Sequence, residues 1–182
     1  TYDYLETPMR EEIVEVVSHD NEITAVVTRN RYGSLVLNTA SVCFVDVDFP
    51  PPKGTGLWDA IVLLFSSQRR IQRRIELRVA TMNAVDRWAQ SNPQHPCRLY
   101  ETAAGLRLLF TGKLYPPASD EVARIFEELH CDPLYRRLTT KQECFRARLT
   151  PKPWRCGCPK PPNRYPWENE AAERIYRAWE AD

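Results

Sequence analysis

Val42–Pro50 reads VCFVDVDFP, a short apolar run that ends in two aspartates two residues apart. Its β-branched and aromatic residues are typical of a strand, and the prolines from Pro50 onward end it. Because residues i and i+2 of a strand face the same side of a sheet, we expect Asp46 and Asp48 to project together. The opposite side is the predicted core face, formed by Cys43, Val45 and Val47. Neighbouring carboxylates repel each other, so the pattern predicts a compensating cation or basic partner.

The segments after this strand follow a recognisable order. Apolar residues at steps of three and four predict a helix at Gln68–Gln90, and Ser119 is the predicted N-cap of a second helix at Asp120–His130. Leu57–Ser67 is apolar and is predicted to be part helix and part lid over the aspartates. Further strands are predicted at Cys97–Glu101, Leu106–Thr111 and Cys144–Leu149. We therefore expect an α+β protein with an antiparallel sheet and a split βαβ core of the ferredoxin-like, or RRM-like, plan.

An N-terminal β-hairpin and a C-terminal helix extend this core. Thr24–Arg29 and Ser34–Thr39 are predicted strands on either side of a turn. Glu11–Val17 fits a short helix or a strand, and Glu168–Glu180 is predicted to be an amphipathic helix. The 182 residues fit a single domain. Its predicted parts are the N-terminal extension and hairpin (1–41), the split βαβ core (42–149), and a proline-rich basic loop with the C-terminal helix (150–182).

Charge and cysteine content limit the classes of partner. The net charge of +1 does not by itself indicate a nucleic-acid-binding protein. Residues 136–164, however, hold nine Lys and Arg and a single acid, Glu143, which indicates a basic face for an anionic partner. The six cysteines are not spaced as a dense disulfide framework. The sequence contains no secretory signal and no apolar run long enough to span a membrane. Together with the cysteine spacing, these features favour a cytoplasmic protein without a membrane partner.

Charged residues alternate onto one face of the predicted core sheet. In the split βαβ plan the first and third strands are neighbours, so Asp46, Asp48 and Arg107 should lie close together. Arg146 and Arg148 should flank them on the fourth strand. In a functional interpretation the aspartates are catalytic and hold Mg²⁺ or Mn²⁺, and the arginines bind phosphates. In a structural interpretation the aspartates and arginines neutralise one another and catalyse nothing.

The loop Thr150–Trp167 (TPKPWRCGCPKPPNRYPW) is rich in proline, basic residues and aromatic residues. Lys152 and Arg155 could contact phosphates, with Trp154 as a stacking platform. Alternatively, the loop covers the body of the protein, and its aromatic residues anchor it. Cys156-Gly157-Cys158 holds the only closely spaced cysteines in the sequence, a pattern that does not favour zinc.

The FVDVD strand at the start of a split βαβ unit resembles the first motif of the archaeo-eukaryotic primase, or primase-polymerase, superfamily. This resemblance implies an RRM-like catalytic core and a divalent-metal-dependent nucleotidyl or phosphoryl transferase in which Asp46 and Asp48 are the metal ligands. Arg107 occupies the place of the histidine that meets the nucleotide phosphates in the family's second motif. The third motif, an acid on a later strand, is replaced here by Arg146 and Arg148. The resemblance thus implies a degenerate bacterial relative that binds a nucleotide or nucleic acid. The alternative is a non-catalytic anion-binding or protein-interaction domain with a structural Asp–Arg network.

Overall fold

The fold is α+β with antiparallel strands and a C-terminal helix, as the sequence predicted, and the strands form two separate sheets. A computed structural model describes residues 10–52 and 66–181. The segment predicted as part helix and part lid, Leu57–Ser67, lies outside the described residues except for its last two positions. No helix in the described part of the chain is long and apolar enough to cross a membrane.

Seven strands and four helices make up the regular structure of residues 10–52 and 66–181. The strands are β1 (Glu12–His19), β2 (Glu22–Arg29), β3 (Leu35–Thr39), β4 (Phe44–Asp48), β5 (Cys97–Glu101), β6 (Gly105–Phe110) and β7 (Phe145–Arg148). The helices are α1 (Ser67–Ser91), α2 (Asp120–Glu128), α3 (Pro133–Gln142) and α4 (Glu170–Ala181), and a 3₁₀ turn occupies Pro153–Arg155. The undecided N-terminal segment is therefore a strand, β1.

The described residues divide into two compact units. The aspartate unit contains residues 42–52, 66–115 and 119–137, and the hairpin unit contains residues 10–41, 116–118 and 138–181. Each unit has its own sheet, so the two are described separately.

The sheet of the aspartate unit has the order β4-β6-β5. β4 and β6, the predicted first and third strands of the core, are antiparallel neighbours, and Asp46 lies directly opposite Arg107. The predicted core face is confirmed, because Cys43 and Val45 are fully buried and Val47 is 6% exposed. Leu106, Leu108 and Phe110 are buried on β6, and Val122, Ile125 and Phe126 are buried on α2. Ser119 caps α2 as expected, since its hydroxyl accepts a hydrogen bond from the Val122 amide at 3.3 Å.

The sheet of the hairpin unit has the order β1-β2-β3-β7, all antiparallel. The predicted hairpin is present as β2 and β3. The prediction that the fourth core strand flanks β4 is wrong, because β7 pairs with β3 instead. Backbone alternation does not specify a partner, and the hairpin offers β7 a second sheet edge. The pairing is continued by the Leu149 amide, which donates to the Leu35 carbonyl at 2.8 Å.

Helix α1 confirms the long helix predicted from the apolar periodicity. Ser66 is its N-cap and accepts a hydrogen bond from the Arg69 amide at 3.2 Å. The apolar face is less buried than the pattern implied, since Val85 is its buried residue and Ile71, Ile75 and Val79 are each at least 50% exposed.

Candidate functional site

The carboxylate of Asp46 is bound by the guanidinium of Arg107. Arg107 Nε donates to Asp46 Oδ1 at 2.6 Å, and Arg107 Nη2 donates to Oδ2 at 2.7 Å. The side chain of Asp46 is 27% exposed and that of Arg107 is 16% exposed, so the pair is partly shielded from solvent. A bidentate pair of this kind is strong and geometrically specific. Burial lowers the pKa of Arg107, but the hydrogen bonds and charge of Asp46 outweigh burial and raise it above its usual value.

Asp48 differs from Asp46 in having an exposed side chain. Burial of part of the carboxyl, followed by the negative charges of Asp132 and Asp46, raises the pKa of Asp48 above its ordinary value. In the structure as described, no hydrogen bond or ion pair joins the carboxylate of Asp48 to another residue. Asp48 is therefore the carboxylate of this strand that remains available to a cation or another ligand.

Asp132 is the third acid of this region, and the sequence did not identify it as such. Its amide donates to the Asp46 carbonyl at 3.0 Å, which ties the start of α3 to β4. Its Oδ1 accepts a hydrogen bond from the Tyr135 amide at 2.7 Å, so the carboxylate serves as a helix N-cap. The sequence around Asp132-Pro133 gives no signal that the helix there begins beside β4.

Two of the three acids have carboxylate oxygens that already accept hydrogen bonds from protein groups. Within residues 10–52 and 66–181, no group of three or more His, Cys, Asp or Glu side chains could hold a metal ion. Asp46 has both carboxylate oxygens on Arg107, and Asp132 has one on a backbone amide. Asp46 and Arg107 neutralise each other, as the structural interpretation expects. Asp48 does not take part in this ion pair.

Arg146 and Arg148 lie on β7 and so belong to the sheet of the hairpin unit. The expectation that they flank the two aspartates on a neighbouring strand is wrong for this reason. Arg146 Nη2 donates to both carboxylate oxygens of Glu11, at 2.9 and 2.8 Å, and the side chains are 17% and 14% exposed. Thr28 also donates to Glu11, at 2.6 Å. Arg146 thus helps to hold residues near β1 against the sheet, while Arg148 is exposed.

Lys152 and Arg155 lie in a cluster of cationic and aromatic side chains in the hairpin unit. The Lys152 ammonium lies 4.6 Å from the ring centroid of Tyr32 and 5.4 Å from that of Trp154. The two rings meet edge to face with centroids 5.7 Å apart. Lys160 lies 5.6 Å from the Trp154 ring. Arg155 is exposed on the 3₁₀ turn that carries Trp154. We call Tyr32, Lys152, Trp154, Arg155 and Lys160 the basic aromatic surface.

Hydrogen bonds between side chains and backbone groups of the hairpin turn and the proline-rich loop position this surface. Asn30 Oδ1 accepts hydrogen bonds from the amides of Tyr32 at 2.9 Å and Ser34 at 3.1 Å, which fixes the turn. Ser34 Oγ donates to the Pro151 carbonyl at 3.2 Å, and the Leu35 amide donates to Thr150 Oγ1 at 2.9 Å. The turn that carries Tyr32 is thereby held beside the loop that carries Trp154.

The sequence identified part of this surface and missed the rest. Lys152, Trp154 and Arg155 were evident from the composition of the loop. Tyr32 lies more than a hundred positions earlier, and a single tyrosine in a hairpin turn gives no signal of its own. Lys160 lies within the same basic loop, but its approach to Trp154 depends on the path of the prolines between them.

Comparison of the chain with protein-family models, with curated proteins and with solved structures gave no match. The resemblance of the FVDVD strand to the primase-polymerases therefore stays a prediction.

Proposed function

We propose that this protein binds single-stranded nucleic acid through the basic aromatic surface of the hairpin unit. The observation that carries the proposal is the position of the Lys152 ammonium over the rings of both Tyr32 and Trp154. Proteins that bind single strands combine cations that follow the backbone with aromatic rings on which bases stack. Here both kinds of group occur within one cluster.

The exposure of the groups supports contact with a ligand. Trp154 is 37% exposed, and Arg155 and Lys160 are exposed beside it. A partly exposed indole that is held by its neighbours can stack on a base at a low cost in side-chain entropy. In the proposed complex, the ammonium groups beside the rings pair with the phosphates on either side of a stacked base.

The residues around the surface favour an anion over a cationic partner. From Cys144 to Trp167 the sequence contains no Asp or Glu and six Lys or Arg. A single strand rather than a duplex is proposed because the faces of its bases are accessible to Trp154 and Tyr32, whereas a duplex hides them.

Fluorescence anisotropy with a labelled oligothymidylate tests the proposal. Stacking contributes about 1–3 kcal/mol per base, so Trp154→Ala should weaken binding by about 5- to 150-fold. Lys152→Ala should weaken binding and reduce its salt dependence. With three phosphates neutralised, the wild-type plot of log K against log[salt] should have a slope of about −2.

The matched control is Lys141→Ala, which removes an exposed lysine of α3 that contacts neither ring of the surface. This variant should bind as the wild type does, and competition by duplex DNA should be weaker than by single strands. Loss of binding that is equal in Lys141→Ala and Lys152→Ala, or a failure of the wild type to bind at low salt, overturns the proposal.

A second function is proposed for the aspartate unit, namely metal-dependent nucleotidyl transfer in the manner of the primase-polymerases. It is supported by the exposed carboxylate of Asp48, whose pKa is raised by burial and by the charges of Asp132 and Asp46. A Mg²⁺ or Mn²⁺ ion at this position would relieve the repulsion between these acids. Calorimetric titration of Mn²⁺ with a nucleoside triphosphate into wild type and Asp48→Asn tests it. Equal heats for the two proteins rule it out.

A further inference from the structure

A small pocket in the hairpin unit is lined by four arginines and a single carboxylate. The arginines are Arg10, Arg29, Arg31 and Arg164, and the carboxylate is Glu12. Its empty volume is about 260 Å³, including the open mouth. The enclosed part of this space is only about 10 Å³, the size of one water molecule, so a ligand would bind largely at the open mouth. The pocket is distinct from the ring cluster around Trp154, although Arg31 lies beside both.

The carboxylates at the pocket are already engaged by arginines. Glu12 accepts a hydrogen bond from Arg177, outside the pocket, and its Oε2 lies 3.7 Å from Arg29 Nε. Arg29 Nη2 is paired with Glu180, which also accepts from Arg177 at 2.9 Å. The negative charge here is therefore shared among several guanidinium groups.

Two of the pocket arginines carry charge that these acids do not offset. Arg10 and Arg164 line the pocket with exposed side chains, and within residues 10–52 and 66–181 neither forms an ion pair. Two cationic side chains that converge on one concave site produce a positive potential there, which concentrates anions.

Polar atoms in the wall of the pocket also lack partners. Arg29 Nε and Asn163 Oδ1 are buried and have no hydrogen-bond partner in the described structure. Asn163 Nδ2 is held by the Ala172 carbonyl at 2.7 Å, so the orientation of the amide is fixed. Buried polar groups of this kind are costly to leave unsatisfied. An anion would satisfy the Arg29 Nε donor, whereas Asn163 Oδ1 and the equally unpartnered Glu12 Oε2 are acceptors that a phosphate dianion would not satisfy.

We propose that this pocket binds a phosphate monoester. Guanidinium groups match phosphate oxygens in a bidentate geometry, and a monoester presents three such oxygens with a charge of about −1.5 to −2 at neutral pH. An internal phosphodiester has two free oxygens and a single charge. The four guanidinium groups at the pocket thus favour the more highly charged terminal group.

Two sources could supply this chemistry, namely the terminal phosphate of a nucleic-acid strand and a small phosphorylated molecule. The inference does not depend on the basic aromatic surface, because the pocket should bind inorganic phosphate in the absence of any strand. Binding should weaken below about pH 6, where the phosphate loses one of its charges by protonation.

Calorimetry with inorganic phosphate, against chloride at equal ionic strength, tests the proposal. The wild type should bind phosphate, and Arg10→Ala and Arg164→Ala should each weaken binding about tenfold, since each removes hydrogen bonds to a charged group. Arg174→Ala is the matched control, because Arg174 is an exposed arginine of α4 that does not line the pocket. The three substitutions lie at exposed positions, and circular dichroism confirms that each variant is folded.

Anisotropy with oligothymidylates bearing a 5′-phosphate, a 3′-phosphate or no terminal phosphate distinguishes the sources. Tighter binding of one phosphorylated strand, abolished in Arg164→Ala, identifies the strand end as the source. Equal affinity for all three strands, with binding of inorganic phosphate retained, identifies a small phosphorylated molecule. If strands do not bind but phosphate does, the proposed function fails and the pocket proposal stands. Failure of phosphate to bind above the chloride background, or an equal loss in Arg174→Ala, overturns it.

Discussion

The ion pair between Asp46 and Arg107 allows a quantitative prediction about the role of the aspartate strand. If the pair is structural, Asp46→Asn and Arg107→Met should each destabilise the protein, since each leaves a partly buried polar group without its partner. A hydrogen bond to a charged group contributes about 1.5–3 kcal/mol, whereas an exposed ion pair contributes about 0–1 kcal/mol. The pair has two such bonds, and its side chains are 27% and 16% exposed. We therefore expect a coupling energy of about 2 kcal/mol, above the range of an exposed pair and below the sum of about 3–6 kcal/mol for two such bonds.

A double-mutant cycle measured by urea unfolding gives this energy directly. The four proteins are the wild type, Asp46→Asn, Arg107→Met and the double variant, whose loss of stability should be smaller than the sum of the single losses by about 2 kcal/mol. Each transition should be followed by two spectroscopic probes, because the described chain contains two compact units and coincidence of the probes is needed for two-state analysis. A coupling energy below about 0.5 kcal/mol would show that the pair contributes little.

Metal ions provide the second arm of the same experiment. With Asp46 engaged by Arg107, Mn²⁺ should not stabilise the wild type more than it stabilises Asp46→Asn. Stabilisation by Mn²⁺ that requires Asp46 would refute the structural assignment, because a ligand that binds the native state raises its stability through the residues that hold it.

Three further predictions follow from particular residues. Gly105→Ala should destabilise the aspartate unit by about 3 kcal/mol or more, since the added Cβ would lie 2.0 Å from the Val47 carbonyl oxygen and would force β4 and β6 apart. A urea midpoint equal to that of the wild type would contradict this prediction. Asp48→Asn should raise the urea midpoint at pH 7, because a raised folded-state pKa means that ionised Asp48 opposes folding, and the gain should disappear as the pH falls below the usual aspartate value of 3.8. A gain that is independent of pH would show another cause. The thiols of Cys43 and Cys131 should react with a disulfide reagent at pH 8 only on unfolding. The reason is that burial raises the pKa of both thiols, that of Cys131 to about 12. Rapid labelling of either thiol in the native protein would contradict their burial.

The sequence determined the local elements well, because the signals that specify them are local. Apolar alternation in VCFVDVDFP identified β4 and assigned Cys43, Val45 and Val47 to the core face. The periodicity after Gln68 identified α1, and Ser119 identified the start of α2. The proximity of Asp46 and Arg107 was also foreseen, since it required only that β4 and β6 be neighbours.

Tertiary structure decided which sheet β7 joined and therefore which residues meet. An alternating strand such as β7 can pair with any free edge, and the sequence contained no signal that favoured β3 over β4. The choice separates Arg146 from the sheet of the aspartates and pairs it with Glu11. The approach of Tyr32 to Trp154 and the convergence of Arg10 with Arg164 likewise depend on pairings between residues far apart in the chain. Local periodicity specifies which side of an element is apolar, whereas the surface that covers this side depends on competition among surfaces that exist only once the chain has folded.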